Sequence, residues 1–296
     1  MTVLALEIGP EQFVASRVED GVGDDDICRV PIPRKAPWEA CRELLLTVAA
    51  GADVTALGIA ATGPIDMAAG MVAPAEVASW RGGFGITEAA QKAFPGAAVR
   101  LALDGVCLAL AERNFGSTGG VQDALSISVS RKVVGGIMVG GFVAVGRTGN
   151  AGNIGHVLVP GFDEPCSCGG RGCLEAVAGG AAVVRWAREN GWAGASLEDL
   201  TVAADMGDEC AVAALGRAGT ALGRAIASVA ALLDVDLVVV GGAVAQAGQA
   251  LWTPLGEAVA AHARLSYLPG LRVVPSKLGE VGILAGAGVL AVTAQR

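Results

Sequence analysis

Through the first third of the chain, short apolar runs alternate with longer segments of helical period. "TVLALEI" and "QFVASRV" predict the two strands of a hairpin, "WEACRELLLTVAAG" a helix ending at Gly51, and "VTALGIAA" a further strand. "AAVRLAL" extends the series as a strand that runs into a helix over "DGVCLALAERNFG". Strands alternating with helices in this way define an α/β unit. After Gly116 the glycine-rich "STGG" predicts a hinge or crossover, and three strand-like runs follow, "ALSISVS", "KVVGGIMV" and "GFVAV", with which a second domain begins. Ala-rich helical patterns then occupy the chain from about Gly180 to Leu233, interrupted near Gly191 and Gly194. The strand "DLVVVGGAV" and a closing helix from about Gly282 to Ala294 complete the pattern. The two halves share an order of strands followed by helices, as in a duplicated α/β core whose domains face each other across a cleft, a common place for ligands.

Composition narrows the class. With 296 residues, 53% of them hydrophobic, the chain can build two sizeable cores. Charge, Gly or Pro interrupts every apolar stretch before it reaches the ~20 residues a membrane span needs, and "MTVLALEIGP" lacks a basic leader region and a cleavage site. A cytoplasmic location without membrane contact is expected. Seven cysteines, an odd number without even spacing, fit a reducing compartment, with Cys28, Cys41, Cys107 and Cys210 as core filler. A net charge of −8 opposes broad nucleic-acid binding, which needs clustered Lys and Arg to replace phosphate counterions. Asp24, Asp25 and Asp26 read as a solvated hairpin tip.

One segment carries chemistry by itself. In "GHVLVPGFDEPCSCGGRGC", His156, Cys166, Cys168 and Cys173 bring one imidazole and three thiolates into an irregular, Gly- and Pro-rich loop that can fold around an ion. Four protein ligands close a tetrahedral site. The expectation is therefore a structural zinc ion, held in a loop over residues 156–173, and not a hydrolytic one.

Together these residues resemble the ROK family, bacterial sugar kinases and sugar-responsive repressors with a two-domain fold. "CSCGGRGCLEAVAGG" matches the family pattern C-x-C-G-x-x-G-C-L-E that follows a Gly-His pair. "GIAATGPIDMAAGMV" is similar to the family's Gly-Pro-hydrophobic-Asp segment and "ASWRG" to its Trp turn. "DLVVVGGAVAQAG" is similar to its adenosine-side strand and "GILAGAGVLA" to its final helix. The resemblance implies an α/β, actin-like and hexokinase-like (ribonuclease H-like) ATPase fold with a structural zinc loop. It divides the chain into a smaller domain over 1–116, joined by the C-terminal helix at about 282–296, and a larger one over 117–281.

Family kinases use an Asn-Asp pair at a helix start, the Asp as general base for the sugar hydroxyl that attacks the γ-phosphate. Here the pair is Leu103 and Asp104. Asp104 keeps the carboxylate, where it serves either as base or simply as a helix N-cap, while Leu103 cannot hydrogen-bond a sugar. The resemblance places Asn153 where the family has a sugar-gripping Glu, puts His156 beside the sugar as well as on the zinc, and matches Glu175 to a sugar-binding Glu.

On the nucleotide side, the family's D-I-G-G-T-K strand end reads "LEIGPEQ". Glu7 retains the magnesium-side carboxylate and Gly9 a phosphate-loop glycine, but Pro10 removes an amide donor and Glu11 sets negative charge against phosphate. The second phosphate loop aligns with "SRKVVGG", Ser130 to Gly136, where Val133 and Val134 are expected to block the approach of a phosphate. Arg131 and Lys132 are either cationic contacts for an anion or the exposed tip of a hairpin, and Gly241 and Gly242 belong to the adenosine side.

These positions imply a ROK sugar kinase homologue with degenerate ATP phosphate loops, a carbohydrate-binding or regulatory protein of weak or no kinase activity. The alternative is an active ATP- and magnesium-dependent kinase of a hexose or modified cyclitol. A transcriptional regulator of the family is disfavoured, because its helix-turn-helix precedes the first strand, and here that strand begins at Thr2. Expected partners are a sugar or sugar-like small molecule and a second copy of the chain, as a homodimer or higher homo-oligomer, with no direct nucleic-acid contact.

Overall fold

In a computed structural model, residues 2–18 and 27–293 are described. The acidic run Asp24–Asp26 lies outside them. The chain divides into two compact units, one of Met1–Gly116, Val143–Gly152 and Val281–Arg296, the other of Ser117–Phe142 and Asn153–Glu280.

The first unit holds a sheet in the order β3-β2-β1-β4-β7, formed by β1 (Thr2–Ile8), β2 (Gln12–Arg17), β3 (Cys28–Pro31), β4 (Val54–Ala61) and β7 (Ala98–Leu103). β1 to β3 form an antiparallel meander, and β1, β4 and β7 run parallel. β5 (Ile65–Asp66) and β6 (Met71–Val72) form a separate small pair. Seven of the eight β4 residues are buried, as expected of a parallel strand covered on both faces. Helix α1 (Pro37–Ala49) packs on the meander, α2 (Ile86–Ala93) lies against β7, and α3 (Asp104–Asn114) begins where β7 ends. Trp80 is a core residue, stacked on Phe84 at 4.5 Å and tilted against Phe13.

The second unit repeats the plan. Its sheet runs β10-β9-β8-β11-β12, from β8 (Ala124–Val129), β9 (Val133–Val139), β10 (Phe142–Val143), β11 (Leu237–Gly241) and β12 (Arg272–Pro275), with β8, β11 and β12 parallel. "GFVAV" thus contributes only a two-residue strand. From Val143 onward the chain belongs to the first unit, where Val143 and Val145 pack on the core and Asn150 holds both backbone groups of Ile65. The second-domain span 117–281 therefore loses Val143–Gly152 to the first unit.

Helices α4 (Leu174–Ala178), α5 (Gly180–Glu189), α6 (Leu197–Asp205) and α7 (Glu209–Leu233) account for the Ala-rich region. The break at Gly191 and Gly194 ends in a capping box at Ser196, whose hydroxyl accepts from the Asp199 N–H while the Asp199 carboxylate accepts from the Ser196 N–H. Helix α8 (Gly248–His262), absent from the expected elements, carries Pro254 in its interior and lies along α7.

The last helix, α9 (Gly282–Thr293), is apolar around its circumference and packs on β1, β4 and α3 of the first unit. Its seat requires backbone approach. A Cβ at Gly58 would lie 1.9 Å from the Ala287 carbonyl oxygen, and one at Gly286 would lie 1.8 Å from that of Cys107. Gly286→Ala is therefore expected to destabilise the protein by about 1–3 kcal/mol or more, as overpacking does where the obstacle is backbone. Urea unfolding measures it, and an unchanged midpoint would refute the packing account.

Candidate functional site

In the first unit, the expected positions gather at the C-terminal ends of β1 and β7. Asp104 is the first residue of α3 and 8% exposed; the cap position belongs to Leu103, so Asp104 is not the N-cap. Its Oδ1 accepts the Gly105 N–H at 2.7 Å. Glu7, half-buried on β1, lies close enough for the two carboxylates to interact. Burial first, then Asp104, raises the Glu7 pKa to about 7, while the Arg29 guanidinium acts in the opposite direction. Cys107, one turn along α3, is fully buried, and burial together with Asp104 and Glu7 holds its thiol well above the ordinary range. Leu103 is 3% exposed, with its Cδ1 2.9 Å from where a Gly63 Cβ would stand.

The segment expected as the first phosphate loop is a tight turn. The Gly9 N–H donates to the Gln12 carbonyl at 3.1 Å across Pro10 and the exposed Glu11, and the Glu11 carbonyl accepts from Ile32. Pro10 supplies no N–H, and Glu11 is an exposed carboxylate-bearing residue of the turn.

In the second unit the expected loop Ser130–Gly136 is mostly strand. Val133 and Val134 open β9, and Val133 is 2% exposed with its side chain in the core, so it does not stand in the way of a ligand as expected. Only Ser130, Arg131 and Lys132 turn the hairpin, with Val129 and Val133 as its closing pair. The turn is tied down by its own neighbours. The Ser130 carbonyl accepts the Gly180 N–H at the start of α5 (2.7 Å), the Ser130 Oγ accepts the Ala243 N–H (3.1 Å), and the Ser130 N–H donates to the Lys132 carbonyl (3.0 Å). The half-buried Glu175 carboxylate accepts the Val133 N–H at 3.4 Å. Gly242, at φ +87°, lets the chain leave β11 against β8, where a Cβ would fall 2.6 Å from the Val129 carbonyl oxygen. Gly241 is buried beside Ser276. The sequence marks Ser130 only as the first residue of the aligned loop; the bonds it makes come from chain segments far away in sequence.

Asn153 is exposed at the start of a 3-10 turn over Ile154–His156, and the exposed His156 ends that turn. His156, Cys166, Cys168 and Cys173 converge, all four donor atoms lying within 4.8 Å of one another. The Cys166 Sγ is 3.6 Å from the His156 Nδ1, and the Cys168 and Cys173 sulfurs are 3.8 Å apart. A tetrahedron with ~2.3 Å metal–sulfur arms has sulfur–sulfur edges of about 3.8 Å, so a four-coordinate ion of zinc's size and softness fits this donor set. The Gly170 N–H, donated to the Cys168 sulfur, lowers that thiol's pKa and favours the thiolate form.

A repeated strand order in two units, carboxylates at the ends of parallel strands and a Cys3His loop define an α/β protein of hexokinase-like fold. The sequence profile of the ROK family matches residues 4–294, and the chain belongs to that family. It is similar to the glucokinase of Thermotoga maritima, 29% identical over 310 aligned positions that cover 98% of this chain and 97% of that one. Over 180 positions, 58% of this chain and 44% of the other, it is 32% identical to an N-acetylglucosamine repressor of Escherichia coli. Among solved structures, a ROK family glucokinase of Streptomyces griseus in complex with glucose and AMPPNP superposes with a TM-score of 0.84 at 26% identity, covering 99% of this chain and 100% of that one. Among the described residues no helix is long and apolar enough to cross a membrane.

The raised Glu7 pKa has a consequence for stability. In the unfolded chain Glu7 ionises near the ordinary carboxylate value, so between that value and about 7 the folded state binds more protons. The stability Glu7 contributes is complete below the unfolded pKa and is lost as pH rises through about 7. Glu7→Gln is expected to flatten this dependence and to raise stability at alkaline pH by up to about 3 kcal/mol. Urea titrations at pH 5 and pH 8 measure it, and parallel pH profiles for the two proteins would contradict the assignment.

Proposed function

We propose that this chain is a ROK sugar kinase homologue whose ATP phosphate loops have degenerated: a cytoplasmic, homo-oligomeric carbohydrate-binding or regulatory protein with weak or no kinase activity. The observation that carries the reading is where the second unit's amides go. The N–H groups of Ser130, Val133, Gly180 and Ala243 all have acceptors within the protein, so binding a phosphate there would first break bonds already made. In the first unit, the Pro10–Glu11 turn adds a missing donor and a repelling carboxylate. Asp104, His156 and Glu175 remain as sugar contacts, with Asn153 as an uncharged one, while Leu103 favours a sugar or cyclitol that presents no hydroxyl to it. The loop ion is zinc, with a structural role.

The second reading, an active kinase of a hexose or modified cyclitol, is favoured by the Glu7 and Asp104 pair. Asp104 would take the proton of the attacking hydroxyl, Glu7 would face magnesium, and Arg131 or Lys132 would meet the phosphates.

Calorimetry is expected to find ATP with magnesium bound no better than adenosine, because two or more lost charge-assisted contacts weaken the triphosphate roughly a hundredfold if they add. Some sugar or cyclitol at millimolar concentration is expected to raise the melting temperature, and Glu175→Ala to abolish that shift. Micromolar ATP affinity with steady turnover would instead establish the kinase.

Elemental analysis of protein purified without added metal is expected to give one zinc per chain, lost with a fall in stability in Cys168→Ser. A folded chain that carries no metal as purified would exclude the zinc site.

A further inference from the structure

Two arginines hold the cysteine loop to helix α7, and the four metal donors do not account for them. Arg217 and Arg224 stand two turns apart on α7, on one face of the helix. The Arg217 guanidinium lies over the rings of Phe162 at 4.9 Å and Trp186 at 5.5 Å, and pairs with the Glu164 carboxylate. Arg224 lies over Phe162 at 5.6 Å and donates to the Pro160 carbonyl at 2.7 Å. Phe162 is thus covered by two cations, an arrangement that fixes the planar forks as well as the ring.

The Arg217–Glu164 pair differs from its neighbour in the same loop. Its side chains are 18% and 28% exposed, against 59% and 78% for Arg171 and Asp163, so solvent screens it far less. The pair is nonetheless a poor device for stability alone: Glu164 Oε2 is buried without a hydrogen-bond partner, and partly buried ion pairs with unmet oxygens gain little over hydrocarbon.

Its position in the loop suggests another role. His156 and Cys173 are set by the body of the unit, one ending the 3-10 turn and the other preceding α4, with the Leu174 N–H bonded to the Val157 carbonyl at 2.9 Å. Cys166 and Cys168 lie farther out, the first half-buried and the second exposed. The stretch that bears them is closed at its base by the Gly172 N–H, which donates to the Glu164 carbonyl at 2.9 Å, and by a bridge between Pro165 and Arg171. Only glycine suits that base, because Gly172 has φ +73° and a Cβ there would lie 2.7 Å from the Phe162 carbonyl oxygen. Phe162 and Glu164, the residues that Arg217 grips, therefore form the foot on which both outer thiols stand.

We propose that Arg217 is a positioning residue for the metal cluster: through Glu164 and Phe162 it holds Cys166 and Cys168 at ligating distance from His156 and Cys173, and so sets how long the ion is retained. The inference rests on the reading of the cluster as a zinc site. Partners that orient metal ligands characteristically change affinity about 10–100-fold when removed.

The test uses the full chain loaded with zinc and measures zinc release to an excess of a chromogenic chelator, together with the melting temperature of the metal-free protein. Arg217→Met is expected to release zinc at least about tenfold faster. Glu164→Gln is expected to speed release in the same direction, and the double variant to be no faster than Arg217→Met alone, since that substitution already removes the Glu164 pair along with the ring contacts. Arg171→Ala, in the exposed pair, is expected to release zinc at the wild-type rate. If Arg217→Met fails to fold, Glu164→Gln carries the same comparison.

Wild-type release rates in both Arg217→Met and Glu164→Gln, with only the metal-free melting temperature lowered, would reduce the pair to a structural contact and overturn the proposal. Equal acceleration in Arg171→Ala would overturn it too, by showing that any lesion in the loop frees the ion. A wild-type chain that retains no zinc would fail the metal reading itself, an outcome distinct from retained zinc with unaffected variants.

Discussion

Asp104 stands beside Glu7 because helix α9 can lie with its backbone against both β4 and α3. At Gly58 and Gly286 no side chain intervenes, and the nearest atoms to an added Cβ would be main-chain carbonyls that cannot move aside. This close approach seats α3 at the end of β7, and α3 in turn carries Asp104 and Cys107 toward the buried face of β1. The cost of bringing two carboxylates together out of water falls on Glu7, whose proton is held into the neutral range. In the kinase reading the same pair would face magnesium, a cation that would reverse this balance; in the carbohydrate-binding reading a protonated Glu7 is simply a hydrogen-bond donor.

The second unit answers the same sheet plan with a different kind of fixation. There Ser130 binds the hairpin between β8 and β9 to α5 and to the turn after β11, using its amide, carbonyl and hydroxyl within the protein. A loop built to receive phosphate keeps its amides available for the ligand. In the proposed reading, Pro10 and Glu11 would oppose phosphate by composition, whereas Ser130 would do so by the bonds it makes.

The cysteine loop shows how local chemistry and distant packing share one task. Its ligand types and glycines make a tetrahedral cluster possible, and in the proposed role of Arg217 the spacing of the outer thiols would depend on a foot clamped by α7, roughly fifty residues further along the chain.

By itself the sequence determined the elements whose signals are local. Alternation and β-branched runs marked β1, β2, β4, β7, β8, β9 and β11, helical period and glycine stops marked α1, α3 and α9, and the clustered Cys and His residues identified the donors that meet within 4.8 Å. It did not announce α8, because Pro254 interrupts the helical signal, nor β12, which is short and at a sheet edge. Only the tertiary structure decided that Val133 turns into the core instead of toward a ligand, that Val143–Gly152 returns to the first unit, and that Ser130, Arg217 and Glu164 matter. The physical reason is common to all of these: a strand's facing, a chain's crossing and a side chain's partner are fixed by segments remote in sequence, and no local period records them.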